Sequence, residues 1–138
     1  FVAVASSGGT TDKIMTSPDG ITWTARTAPN STGLFDVIYS PTLSLWVACE
    51  YNGAIISSPD GITWTARTAV SKGWTSMSWS EDNKIFVAAA DSAITYSSDG
   101  ITWYYVPTPP INPRGTAWSP ILEIYASAGS GGCLSSIL

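Results

Sequence analysis

The 138-residue sequence predicts an all-β fold, a β-propeller of four-stranded antiparallel blades, on three observations. A phrase recurs almost verbatim: residues 16–27 read "TSPDGITWTART" and residues 57–68 read "SSPDGITWTART", with a looser copy, "SSDGITW", at 97–103. Two further markers keep the same time, with Tyr39, Trp79 and Trp118 stepping 40 and 39 residues, followed seven places later by Trp46, Phe86 and Tyr125. Within each unit, short β-type stretches alternate with turn signals, and no helix-length 3.6-residue period intervenes. A unit of roughly 40 residues built of four meandering strands describes a propeller blade. A sandwich or a solenoid is the alternative, but a sandwich rarely repeats its sequence and a solenoid rung is usually shorter.

The units divide the chain into one propeller domain with boundaries at 1–27, 28–68, 69–107 and 108–138. The second unit shows the elements in order. "LFDVIYS" is a strand, "PTLS" a turn, "LWVACEY" a strand, "NG" a turn, "AIISS" a strand, "PDG" a turn and "ITWTART" the last strand. The first unit supplies strands two to four and the last one is incomplete, so about three and a half blades are present. The expectation is a window on a longer propeller of about six to eight blades.

Composition narrows the partners. Hydrophobic residues make up 44% and charged residues 12%, with 7 Trp, 6 Tyr and 3 Phe, enough apolar material for a core. A net charge of −4 with six scattered Lys and Arg predicts no nucleic-acid partner. No apolar run approaches the length of a membrane span, which predicts no membrane insertion. Without histidine, and with Cys49 and Cys133 at non-equivalent places, no Cys/His metal site is expected, nor any cofactor. The two cysteines read as free thiols in preference to a disulfide. Low charge with abundant Ser, Thr, Gly and aromatics fits an extracellular or virion protein.

The repeated phrase is expected to be a tight turn between the third and fourth strands. Pro presets the second position, the Gly takes a positive φ, and the Asp carboxylate accepts N–H groups of the turn. The Trp two places after each Ile is expected to share its strand face and to wedge between blades. The residues assigned to this scaffold are Ser17, Asp19, Gly20, Thr22 and Trp23; Ser58, Asp60, Gly61, Thr63 and Trp64; and Ser97, Asp99, Gly100, Thr102 and Trp103.

These residues resemble the Asp-box, or BNR repeat, of sialidases and related propellers, S-x-D-x-G-x-T-W, here one residue shorter between Asp and Gly. The resemblance covers the chain and is nearest to the SPDGITWT-type arrays of phage virion and bacterial surface proteins. It implies a structural box away from the ligand face. It would also permit a sialidase-like glycoside hydrolase fragment, a sortilin-type receptor or a photosystem II assembly factor. Sialidases of this kind need three converging arginines, a Tyr nucleophile with a Glu, and an acid Asp. The arginines here are Arg26, Arg67 and Arg114. Arg26 and Arg67 sit at equivalent outer-strand positions, so a triad is not expected. Glu81 and Asp82 fall in a hairpin tip, and Glu50, Asp91 and Glu123 have no visible partner, so facing carboxylates are not expected either.

Function is therefore expected where repetition fails. The inter-blade segments "TAPNSTGLF", "TAVSKGWTS" and "PTPPINPRGT" share almost nothing, and loops presented by a rigid scaffold carry function. The candidate ligand-binding residues on that face are Asn30, Tyr51, Asn52, Lys72, Trp74, Asp91, Asn112 and Arg114. Trp74 reads either as an exposed contact or as the first residue of a core strand. The expected role is a non-catalytic recognition or structural module, with a glycan, a protein or other subunits of a particle as partner.

Overall fold

A computed structural model describes residues 1–7, 13–30, 32–51, 53–110 and 112–135. These residues form four antiparallel sheets, two of four strands and two of three. The first sheet is β1 (Val2–Val4), β2 (Ile14–Thr16) and β3 (Thr24–Arg26). The second is β4 (Leu34–Ser40), β5 (Leu45–Glu50), β6 (Ile55–Ser58) and β7 (Thr65–Arg67). The third is β8 (Ser76–Ser80), β9 (Ile85–Ala90), β10 (Ala93–Ser97) and β11 (Tyr104–Pro107). The last is β12 (Pro113–Ser119), β13 (Ile124–Gly129) and β14 (Gly132–Ser135). Each sheet is a simple meander, and β4 packs beside β8 and β8 beside β12, so the sheets follow one another through their innermost strands. Among the described residues there is no helix.

The spaced aromatics explain the shared register of β4/β5, β8/β9 and β12/β13. Tyr39 lies opposite Trp46, Trp79 opposite Phe86, and Trp118 opposite Tyr125, with ring centroids 4.6, 4.4 and 4.7 Å apart. Cross-strand aromatic pairs of this kind stabilise a hairpin and fix its pairing. One place beyond each first-strand aromatic, a serine closes the hairpin: Ser40, Ser80 and Ser119 Oγ accept the N–H of Leu43, Asn83 and Leu122.

Two buried clusters straddle the sheets and carry most of the packing. One joins Ile14 of the first unit to Ala28, Leu34, Ala48, Ile56 and Trp64 of the second. The other joins Val47, Cys49 and Ile55 to Trp74, Met77, Phe86 and Trp103 of the third. Trp64 and Trp103 thus seal each blade to the one before it, whereas Trp23, in the first sheet, is 40% exposed.

A polar link runs along the innermost strands. Asp36 Oδ2 accepts the Met77 N–H of the next blade at 2.8 Å while Oδ1 accepts Val37 N–H at 2.9 Å. Forty residues on, Ser76 Oγ accepts the Thr116 N–H at 2.9 Å, repeating the link between the third and fourth blades. Burial pushes the Asp36 carboxyl above its ordinary range, although the N–H groups of Met77 and Val37 and the Ser76 hydroxyl oppose this. Burial likewise pushes the Cys49 thiol up, which leaves it protonated and unreactive. Cys49 and Cys133 are both free thiols, the first buried and the second exposed.

The repeated turn differs in one respect from the expectation of a three-residue turn followed by a seven-residue strand. Residues 61–64 belong to the turn, and the outer strand shrinks to Thr65–Arg67. The cause is the Asp60 carboxylate, whose Oδ1 accepts the N–H groups of Ile62 and Thr63 at 2.8 and 2.7 Å and so withholds them from a sheet ladder. Ile62 and Trp64 consequently do not share a strand face: Ile62 is exposed and Trp64 buried.

Candidate functional site

Two faces can be distinguished by what their residues do. On one, the repeated turns are closed on themselves. Ser58 Oγ accepts Gly61 N–H at 2.8 Å and donates to Asp60 at 2.9 Å, and Trp64 Nε1 donates to Gly61 O at 2.9 Å. Ser17 and Asp19 make the same Ser and Asp bonds with Gly20, Ile21 and Thr22, and Ser97 and Asp99 with Gly100, Ile101 and Thr102; the indole bond recurs at Trp23 but not at Trp103, whose Nε1 is buried without a partner. The glycines hold φ of +77, +72 and +68°, a region that L side chains rarely adopt. Donation from Thr63 and Ile62 N–H and from the Ser58 hydroxyl lowers the Asp60 carboxyl to about 2. In each turn one carboxylate oxygen, Oδ1, is committed to the turn's own donors.

The opposite face carries the unrepeated loops. The structure brings three of the candidates together around the second blade. Glu50 is fully buried at the end of β5 and accepts both Asn30 Nδ2 bonds, at 3.2 and 3.3 Å, and the Thr32 hydroxyl. It thereby ties the loop before β4 to the strand that delivers Tyr51. Tyr51 N–H donates to Gly33 O at 3.1 Å, and the Tyr51 ring stacks on Phe35 with centroids 5.2 Å apart and planes at 28°. Lys72 sits in a loop pressed against this strand end. A Cβ on Gly53 would lie 2.5 Å from Ser71 Cα and 2.7 Å from Lys72 N, and one on Gly73 would lie 3.6 Å from the Tyr51 ring.

Phe35 is a residue that the sequence reading missed. It is the extra residue of a β-bulge between Leu34 and Asp36, and bulges re-aim a side chain out of the alternation. Arg114 occupies the same slot in the bulge between Pro113 and Gly115, exposed on β12. Aligning 35 with 114 in the 40-residue repeat is the signal that could have found it.

Trp74 is corrected. It is fully buried in the cluster between the second and third blades, and its carbonyl accepts the Cys49 thiol at 3.7 Å. Its repeat equivalents Leu34 and Pro113 are buried too, so this register position faces the core in these three units, although in the third the strand itself starts only at Ser76. Asp91 and Asn112 meet each other at a second place on the loop face: Asn112 N–H donates to Asp91 Oδ1 at 3.2 Å and its Nδ2 to Ser130 Oγ at 3.2 Å. They fix the turn before β12. Asn52 lies outside the described residues.

The arginines serve their own blades. Arg26 Nε donates to Thr16 Oγ1 at 2.9 Å and Arg67 Nε to Ser57 Oγ at 2.7 Å, each across one hairpin. Glu81 takes part in a link between blades, receiving Lys84 Nζ at 2.8 Å, Trp79 Nε1 at 2.6 Å and the Thr42 hydroxyl of the preceding unit. Those donors, Lys84 foremost, hold its carboxyl down to about 2.

No family model and no curated protein sequence matches the chain. Solved structures do. A nidogen/laminin complex superposes with a TM-score of 0.67 at 10% identity, covering 84% of this chain and 47% of that one. An extracellular domain of a one-component system from B. thetaiotaomicron gives 0.68 at 11% identity over 88% of this chain and 18% of that one. A β-propeller domain from Myceliophteria thermophila gives 0.59 at 10% identity, covering 83% and 41%. The chain spans less than half the length of each of these structures. At such identities the likeness establishes the fold alone: the four sheets are blades of an all-β propeller.

Proposed function

We propose that this chain is a non-catalytic recognition module of a larger extracellular or virion protein, whose Asp-box turns are scaffold and whose unrepeated loop face binds a glycan or a protein. One observation carries the reading. Among the described residues, the exposed aromatic stack on the loop face, Phe35 with Tyr51, is built from residues that do not recur, at positions taken by Thr75 and Asp91 in the third unit and by Arg114 and Ser130 in the fourth. Stacked, half-exposed rings with polar neighbours are the usual anchors of a recognition surface. The resemblance of the turns to the Asp-box agrees with their closed hydrogen bonding, in which one oxygen of each Asp serves its own turn.

A glycosidase reading finds little support. Arg26 and Arg67 are engaged within separate blades, and Glu50 is committed to Asn30 and Thr32. The test is exposure of the intact chain to a printed glycan library and, in parallel, to chromogenic glycosides. Retention on the library without release of chromophore is expected, and Glu81→Gln, on the other face, should leave retention unchanged. Turnover of a glycoside would make the chain an enzyme, and a blank library together with a blank protein pull-down would reduce it to scaffold.

A further inference from the structure

We infer that the open face of the last sheet docks the first sheet of a second copy of this chain, so that two copies associate head to tail. Register identifies the face. Ala128 pairs with Cys133 as Ala89 does with Ile94 and Cys49 with Ile55, and Ala126 follows Tyr125 as Val87 follows Phe86 and Val47 follows Trp46. Successive residues of a strand point to opposite sides of its sheet, so the three rows point the same way, toward the place of the next blade. In the second and third units that row is covered: Val47, Cys49, Ile55, Val87, Ala89 and Ile94 are all fully buried. In the fourth, Ala126, Ala128 and Cys133 are exposed, and with Gly115 and Ala117 of β12 they line an open groove of about 380 Å³ that carries no charged side chain.

The first sheet supplies the counterpart. Phe1, Met15 and Trp23 hold the places of Trp46, Ile56 and Trp64, with which the second blade packs against the first. In the first sheet they are 69%, 43% and 40% exposed, although all three are large and apolar. One open face is thus built of large side chains and the other of small ones. The contact between the second and third blades joins the same two faces, with Phe86 and Trp103 set against Val47, Cys49 and Ile55. The groove is floored by smaller side chains than that contact, which leaves room for Met15 where the third blade has Thr95. Filling small against large is what close packing requires. A contact between unlike faces repeats in one direction and either closes as a ring or runs on as a filament. Two copies bring eight sheets, the upper end of the usual range of about four to eight blades, so the ring closes at two.

Sedimentation velocity of the intact chain over a range of concentrations tests this, with the rate at which a thiol reagent modifies Cys133 as a second readout. Cys49 is buried, so Cys133 is the reporting thiol. A monomer–dimer equilibrium is expected, in which Cys133 reacts more slowly as the dimer forms. Ala128→Lys and Met15→Glu, each at an exposed position, should weaken association about tenfold or more by bringing an unpaired charge into an apolar contact. Unfolding midpoints confirm that the variants remain folded, and Ala126→Lys tests the same groove a second time. An equimolar mixture of Ala128→Lys and Met15→Glu should associate again, because one of its two contacts is unaltered and the other sets opposite charges together. A monomer at every concentration overturns the proposal, and so does a species larger than the dimer. A dimer that Met15→Glu leaves intact overturns it as well, since that dimer joins two last sheets, as does one in which Cys133 reacts as fast as in the monomer. None of these outcomes bears on binding at the loop face.

Discussion

Trp74→Ala is expected to lower the free energy of unfolding by about 3–5 kcal/mol, the range for truncating a buried Trp. Trp74 is among the largest fully buried side chains and belongs to the cluster that seals the second blade to the third, with Val47, Cys49, Ile55, Phe86 and Trp103. Removing it opens a cavity across a blade interface rather than within one sheet. Both neighbouring sheets would have to move to fill it, and each is held by its own ladder. Its indole Nε1 has no hydrogen-bond partner, so Trp74→Phe forfeits volume but no polar contact and should cost less than half as much. Urea unfolding of the two variants measures this. A loss for Trp74→Ala within about 1 kcal/mol of zero would place the residue at the surface, as a ligand contact, after all.

Asp36→Ala is expected to cost about 1–3 kcal/mol by stranding the Met77 N–H at the blade interface. The carboxylate uses one oxygen for Met77 and the other for Val37, so Asp36→Asn keeps one acceptor and should be milder. The two variants also differ from the parent in their pH dependence. Because burial raises the Asp36 carboxyl in the fold, ionisation opposes folding. This unfavourable contribution is absent below the ordinary 3.8 and grows as pH rises through 3.8 to the folded value, remaining in full above it. The stability of Asp36→Asn relative to the parent should therefore improve from pH 3 to pH 7. Chemical unfolding at both pH values reads the sign; a parent that gains on the variant over this interval contradicts the account of Asp36.

The fold was legible because the 40-residue beat, the paired aromatics and the absence of helical period all point to one architecture. Local strand assignment was good wherever alternation alone decides: Leu34–Ser40 is the strand that "LFDVIYS" spells. It failed where a side chain overrules alternation. "ITWTART" alternates like a strand, yet the Asp60 carboxylate captures the N–H groups of its first residues. The site was legible only in outline. That the unrepeated face holds Asn30, Tyr51 and Lys72 follows from the failure of repetition, but the choice of Trp74 as its exposed aromatic was one place out of register. Leu34, Trp74 and Pro113 face the core, and at the next position Phe35 and Arg114, each in a bulge, are exposed. A bulge inserts that shift, and no periodicity of two can announce it. The partners of Glu50 come from a loop 20 residues earlier and the partner of Asp36 from 41 residues later, separations across which sequence carries no pairing signal.

The central claim is that the near-verbatim phrase is scaffold because its Asp is already occupied by its own turn. Amide hydrogen exchange at residues 61–63 tests this most directly. The N–H groups of Gly61, Ile62 and Thr63 are each held by a side-chain oxygen of Ser58 or Asp60. The last two lie in exposed positions where a free amide would exchange rapidly. The account predicts slow exchange at Ile62 and Thr63 in the parent chain and exchange at open-loop rates in Asp60→Ala. Open-loop rates at both amides in the parent would leave the Asp60 carboxylate free for a ligand and contradict the claim.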